Sequence, residues 1–231
     1  IPYQKENFLF PYDKIHSTLV DIQPKLLLIC NPNNPTGTRV SPQEILKLSA
    51  LSPKTLVVID ELYEAFTGDS ILPFVNFNEN PNVLVLRSLS KTAGLAGLRI
   101  GFAIGNSHVI NRLNRVKGPY DINSFAVTAA FAALKDQAYI NNYVEEVLKA
   151  KKWIRDLLIE KEIRHHIDGG NFLLIWPKNS PLRIEEGLKS KGILIRNMQG
   201  KPLINGSIRV SIGTISQMKQ FIDAYTEVDN S

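Results

Sequence analysis

Apolar residues in the first half of this chain come as short continuous runs. Leu26–Cys30 and residues 55–60, 83–87 and 99–105 have the length and density of strands. Between the first two stands Ser41-Pro42-Gln43-Glu44: a serine able to cap, a proline suited to a first turn and a glutamate able to reach back. This predicts a helix running to about Leu51. Strand, helix and strand in that order predict an α/β fold with a mainly parallel sheet.

From Asn123 onward the spacing becomes helical. Residues 123–163 read as helix with a break at Asp136-Gln137, and the amphipathic stretch 138–162 is long enough to join two domains. After Asp168-Gly169-Gly170 the pattern predicts a strand over 172–176, a helix over 181–191, strands over 193–196 and 207–212, and a helix over 216–227. The expected organisation is therefore a partial large domain, 1–137, followed by a linker helix and a smaller C-terminal α+β domain, 138–231. No internal repeat or low-complexity segment interrupts it.

Composition narrows the class. With 44% hydrophobic and 21% charged residues in 231, the chain can bury a core, which excludes disorder. No apolar run approaches the roughly 20 residues needed to span a bilayer, and no basic-then-apolar leader is present, so a cytoplasmic protein is expected. The +5 charge and pI of about 9.2 come from scattered Lys and Arg. That favours small anionic substrates over nucleic acid. Cys30, the single cysteine, cannot form an internal disulfide and ends an apolar run, as a structural thiol would. The chain opens at Ile1 rather than methionine, which suggests a partial polypeptide.

Four segments carry candidate chemistry. Asn31-Pro32-Asn33-Asn34-Pro35-Thr36-Gly37 follows the first strand. Such residues make ordinary turns, yet loops at the carboxyl ends of parallel strands also form the ligand crevice of open α/β sheets. Asp60 ends the second strand with Tyr63 three residues on, and a carboxylate there needs a cationic partner. An arginine or a protonated heterocyclic nitrogen would serve. Ser88-Leu89-Ser90-Lys91 follows the third strand, with Arg99 close behind. Two hydroxyls, a guanidinium and an amine together suit a molecule that bears both a phosphate and an aldehyde. Arg209, in Ser207-Ile208-Arg209-Val210, offers a planar fork to a structural carboxylate or to a substrate anion.

Together these segments resemble the pyridoxal-phosphate-dependent, fold-type I (class I/II) aminotransferases, over nearly the whole chain. Within that group the nearest resemblance is to the histidinol-phosphate aminotransferases. It rests on Cys30-Asn31-Pro32-Asn33-Asn34-Pro35-Thr36-Gly37, Arg87-Ser88-Leu89-Ser90-Lys91, Gly94-Leu95-Ala96-Gly97-Leu98-Arg99-Ile100-Gly101, Pro119-Tyr120-Asp121-Ile122-Asn123-Ser124 and Gly170-Asn171-Phe172-Leu173-Leu174. The resemblance implies that Lys91 carries pyridoxal 5'-phosphate covalently and that Asp60 holds its ring nitrogen. Asn34 and Tyr63 would bind its phenolic oxygen, and Ser88, Ser90 and Arg99 its phosphate. Arg209 would take a substrate carboxylate, and Arg196 would be a second substrate-binding arginine suited to a phosphorylated amine. The implied partners are an amino donor, a 2-oxo acid and a second copy of the chain. Leu62 departs from the pattern, which commonly has alanine there.

The same resemblance implies, upstream of Asn34, a glycine-rich turn that grips the cofactor phosphate, an aromatic residue that stacks on the ring and an N-terminal arm. Nothing in the residues before Asn34 resembles that turn, so the 231-residue chain alone is expected to transaminate poorly. Two other readings share these residues. A phosphothreonine-type decarboxylase would use the same cofactor contacts, and a non-catalytic fragment would keep them without turnover.

Overall fold

The computed structural model describes residues 1–230. It contains two compact units, Ile1–Asn33 with Thr38–Asn141, and Asn34–Gly37 with Asn142–Ser231.

The first unit begins with α1 (Tyr12–Ile22), β1 (Leu26–Cys30), α2 (Pro42–Leu51), β2 (Leu56–Asp60) and β3 (Val83–Ser88). It continues with β4 (Gly101–Gly105), α3 (Ser107–Val116) and α4 (Ser124–Lys135). α5 (Gln137–Glu160) starts in this unit and ends in the next. The sheet order is β1-β2-β3-β4. β1, β2 and β3 are parallel, in a register that sets Cys30 beside Asp60 and Asp60 beside Leu86. β4 returns antiparallel, so the sheet is mixed but mainly parallel. Val57, Val58 and Ile59 are buried in succession, as continuous apolar strands at a sheet centre should be. The core gathers Ile15 and Leu19 of α1, Ile45 and Leu48 of α2, and Ile29, Val57, Ile59, Val83 and Val85 of the sheet. The capping box forms as the sequence requires: Glu44 N donates to Ser41 Oγ at 3.2 Å, and Ser41 N donates to Glu44 Oε2 at 3.1 Å.

The second unit holds β5 (His165–His166), β6 (Phe172–Ile175), α6 (Pro181–Ser190), β7 (Arg196–Asn197), β8 (Ile208–Ser211) and α7 (Ile215–Asn230). Its sheet, ordered β5-β6-β8-β7, is antiparallel throughout. The strand expected over 193–196 is confined to its last residue, because the pairing with β8 starts only at Arg196. Leu194 is exposed and builds no ladder, although its run is apolar.

One buried carboxylate organises the end of this unit. Asp229 accepts from Lys178 N (3.1 Å), Asn179 N (2.9 Å) and Tyr225 Oη (2.7 Å), tying α7 to the turn after β6. Burial, reinforced by this carboxylate, pushes the Tyr225 hydroxyl well above the usual phenol range, so it remains a donor. Asp229→Ala leaves the buried Tyr225 hydroxyl and two part-buried amides without their acceptor. The buried hydroxyl alone puts the cost at about 1–3 kcal/mol, read as a lower melting temperature. Tyr225→Phe should cost less, since it removes donor and hydrogen bond together.

Candidate active site

The carboxyl ends of β2 and β3 and the loop into β4 line an open cavity of about 520 Å³. Its walls include Asp60, Ser88, Ser90, Lys91 and Arg99. These five come from three stretches of chain. Parallel pairing of β2 with β3 sets two of the stretches side by side at one edge of the sheet. Asp60 accepts from Leu62 N at 3.0 Å and from the Cys30 thiol at 3.8 Å, which aims the carboxylate along the strand end. Ser88 Oγ lies 2.7 Å from Ser90 Oγ, accepts from Ser90 N at 3.1 Å and donates to Ile100 O at 3.2 Å. Both hydroxyls are thereby placed in one tight turn. Lys91 Nζ sits 5.7 Å from the centroid of the buried Tyr63 ring, a cation–π contact. Arg99 has φ +56° and donates from Nη1 to Ala96 O at 3.1 Å. A left-handed backbone at a non-glycine residue is strained, and such strain gathers at ligand sites.

A second group belongs to the other unit. Arg209 Nη1 donates to Asn34 Oδ1 at 2.6 Å, the guanidinium lies 5.6 Å from the Phe172 ring, and Arg209 Nε is buried with no hydrogen-bond partner. Arg196 stands directly opposite Arg209 in the β7–β8 pairing and is exposed. Cross-strand partners project from the same face, so two like charges are held together. Among the described residues no carboxylate forms an ion pair with either. An arginine pair with a buried unbonded N–H is suited to an anion of more than one charge.

Asn34–Gly37 is fastened within that unit. His166 Nε2 meets Thr36 O at 2.7 Å, and since a carbonyl only accepts, this nitrogen carries the proton. Gly169 N donates to Gly37 O at 2.8 Å. Gly37 has φ +76°, and a Cβ there would come within 2.6 Å of Gly169 O, so the turn requires glycine. The sequence did not single out His166, nor Glu61 and Arg87. Glu61 is a fully buried carboxylate beside Asp60, and Arg87 binds it from β3 at 2.8 Å. A charge ending an apolar strand was the available signal in both cases.

The profile of the family described as Aminotransferase class I and II matches residues 1–224. A histidinol-phosphate aminotransferase of Ruminiclostridium cellulolyticum is 34% identical over 221 residues, which cover 95% of this chain and 61% of the relative. The structure of the histidinol-phosphate aminotransferase of Clostridium acetobutylicum matches with a TM-score of 0.87 at 26% identity, over 97% of this chain and 69% of that one. The enzyme of the same name from Sinorhizobium meliloti, solved in complex with pyridoxal-5'-phosphate, matches in fold with a TM-score of 0.85 at 24% identity, over 100% and 63%. The chain spans about three fifths of the length of the curated relatives it matches. No described helix is long and apolar enough to cross a membrane.

Behind Asp60, the half-buried Cys30 thiol is pushed up to about 11, first by burial and then by the charge and hydrogen bond of Asp60. Tyr3 is pushed up to about 12, again by burial first and then by Cys30. The thiol stays protonated at neutral pH and acts as a donor rather than a nucleophile. Alkylation of folded protein with iodoacetamide should therefore be slow at pH 8 and accelerate only toward pH 11. A rate profile centred near the ordinary thiol value of 9 would contradict this.

Proposed function

We propose, from the premise that this chain belongs to the class I and II aminotransferase family, that it is part of a pyridoxal-phosphate-dependent enzyme. The reaction is the transfer of an amino group from a phosphorylated amine of the histidinol-phosphate kind to a 2-oxo acid such as 2-oxoglutarate. The observation that carries this reading is the single cavity bringing Asp60, Ser88, Ser90, Lys91 and Arg99 together. The donor set fits the cofactor group by group: hydroxyls and a guanidinium for a phosphate, an amine for an aldehyde, and a carboxylate for a protonated ring nitrogen. A cavity of about 520 Å³ is within the usual range for a small ligand. The names of the relatives supply the substrate class.

Pyridoxal phosphate supplies an aldehyde that captures amines and a ring that draws electrons from the carbon bearing them. Lys91 would hold it through its amine, and once freed by the donor amine the lysine would take the proton from the substrate carbon and deliver it to the cofactor carbon that bore the aldehyde. Asp60 keeps the proton on the ring nitrogen. Ser88, Ser90 and Arg99 bind the phosphate. Tyr63, whose ring faces Lys91 Nζ, and Asn34 take the phenolic oxygen, as the family resemblance implies. Arg209 receives a carboxylate or phosphate, with Arg196 opposite it as a second cation. In this reading residues 1–137 are part of the cofactor domain, 138–231 are the linker helix and small domain, and the working enzyme is a cytoplasmic homodimer.

Borohydride reduction of the full-length protein carrying the cofactor, followed by peptide mapping, should label Lys91 and no other lysine. Incubation with histidinol phosphate should convert the cofactor spectrum, and 2-oxoglutarate should restore it. Loss of carbon dioxide from a phosphorylated amino acid without need of a 2-oxo acid would instead identify a decarboxylase.

Arg196→Ala should lower kcat/KM for the phosphorylated donor by about tenfold or more, roughly 1.4 kcal/mol, and leave an unphosphorylated analogue nearly unaffected. Equal losses for the two donors would refute a phosphate contact. A lower melting temperature with unchanged selectivity would assign Arg196 a structural role.

A further inference from the structure

We infer that Arg87, through Glu61, is a positioning residue that sets the spacing between Asp60 and Ser88. The inference rests on the proposed cofactor role of those two residues. Glu61 directly follows Asp60, and Arg87 directly precedes Ser88. The two strands end side by side, Asp60 opposite Leu86, and Glu61 N donates to Leu86 O at 3.0 Å, the bond that closes this last pair. Beyond that point backbone pairing stops and side chains take over. Arg87 Nη2 lies 2.8 Å from Glu61 Oε2 and donates to Ser70 Oγ at 2.7 Å, while Nη1 binds Glu64. Glu61 also accepts from Ile71 N at 2.7 Å and Ser70 Oγ at 3.0 Å. One guanidinium thus ties the end of β3 to both ends of the turn that follows β2.

Stability alone is a poor explanation for this arrangement. A buried ion pair is commonly no better than an apolar pair of similar volume, because both charges lose their hydration. Here the cost is larger, since Arg87 Nε is buried without an acceptor. What the pair does supply is geometry. A guanidinium fork holds its partners at fixed distances and angles, which an apolar contact does not. The proposed ligand is a rigid ring with its nitrogen bound at Asp60 and its phosphate at Ser88, so any drift between the two strand ends weakens both contacts together. Arg87 borders the cavity, but both its Nη atoms are already engaged by Glu61, Ser70 and Glu64. It therefore acts through them rather than as a phosphate ligand.

The test uses full-length apoprotein reconstituted with pyridoxal phosphate. Its readouts are the cofactor Kd by absorbance titration, the pH at which the bound visible band interconverts, and the melting temperature without cofactor. Arg87→Met and Glu61→Gln should each raise Kd about tenfold or more and move the spectral transition. Arg87→Lys, which keeps the charge but loses the fork, should fall between them and wild type. Should Arg87→Met not fold, Arg87→Lys and Glu61→Gln give the same comparison. Variants that melt earlier yet bind the cofactor with wild-type Kd and spectrum would overturn the inference, leaving the pair a structural one. Wild-type protein that takes up no cofactor at Lys91 would overturn the proposed function and this inference with it.

Discussion

Parallel pairing is the constraint on which the first unit depends. Parallel strands all finish at one edge, so whatever follows each strand is delivered to the same place. The register sets Cys30 beside Asp60 and Asp60 beside Leu86, bringing three consecutive loops into line. A shift of one residue would turn Asp60 toward the opposite face and bring Glu61 in its place. That register is in turn fixed by Val57, Val58 and Ile59, which are buried together and have no polar alternative.

The strand ends then carry a concentration of charge that the apolar core cannot solvate. Asp60 and Arg87 line the cavity described above, and Glu61 and Glu64 line a second pocket that shares Arg87 with it. Glu61 is satisfied by three donors, and Glu64 is less so. Burial raises the Glu64 carboxyl above its ordinary value, Arg87 pulls it back, and Glu61 pushes it up again. A raised carboxyl binds its proton more tightly folded than unfolded, so this group favours the fold most below its unfolded value of 4.5 and less as pH rises through the folded one. One arginine shared by two carboxylates leaves a net negative edge. On the proposed function, such an edge would suit a protonated ring nitrogen at Asp60, with Lys91 and Arg99 supplying the opposite sign nearby.

The sequence made legible what local physics determines. Continuous apolar runs marked β1, β2 and β3 almost to the residue, and the capping box marked the start of α2. Asp60, Ser88, Ser90, Lys91 and Arg99 could be picked out because they lie at or between strand ends, and they line one cavity. Elements with weak local signals were missed. α1 buries Ile15 and Leu19 but has Pro11 at its cap position with no side-chain hydrogen bond, and α3 is capped by Asn106, which accepts from His108 N, but buries none of its residues, so each carried only half of a cap-and-stripe pattern. Arg87 and Glu61 were passed over because their meaning lies in a pairing between positions 26 residues apart. The Arg209–Asn34 bond spans 175 residues and has no local trace at all.

That longest bond also decides which way Asn34 presents its amide. The two ends of an asparagine side chain look alike in shape and differ only in hydrogen bonding. Arg209 has donors and no acceptor, so the atom it meets must be the amide oxygen. The NH2 end is thereby turned to the other side as a donor. His166, Gly169 and Gly37 hold the backbone of the same four residues, so rotation of the whole turn cannot undo the choice. On the proposed function, a substrate anion reaching Arg209 meets a guanidinium already sharing one Nη with Asn34, while its buried Nε has no partner. Binding at Arg209 and the orientation of Asn34 are then linked through one side chain, with no movement of the backbone needed to connect them.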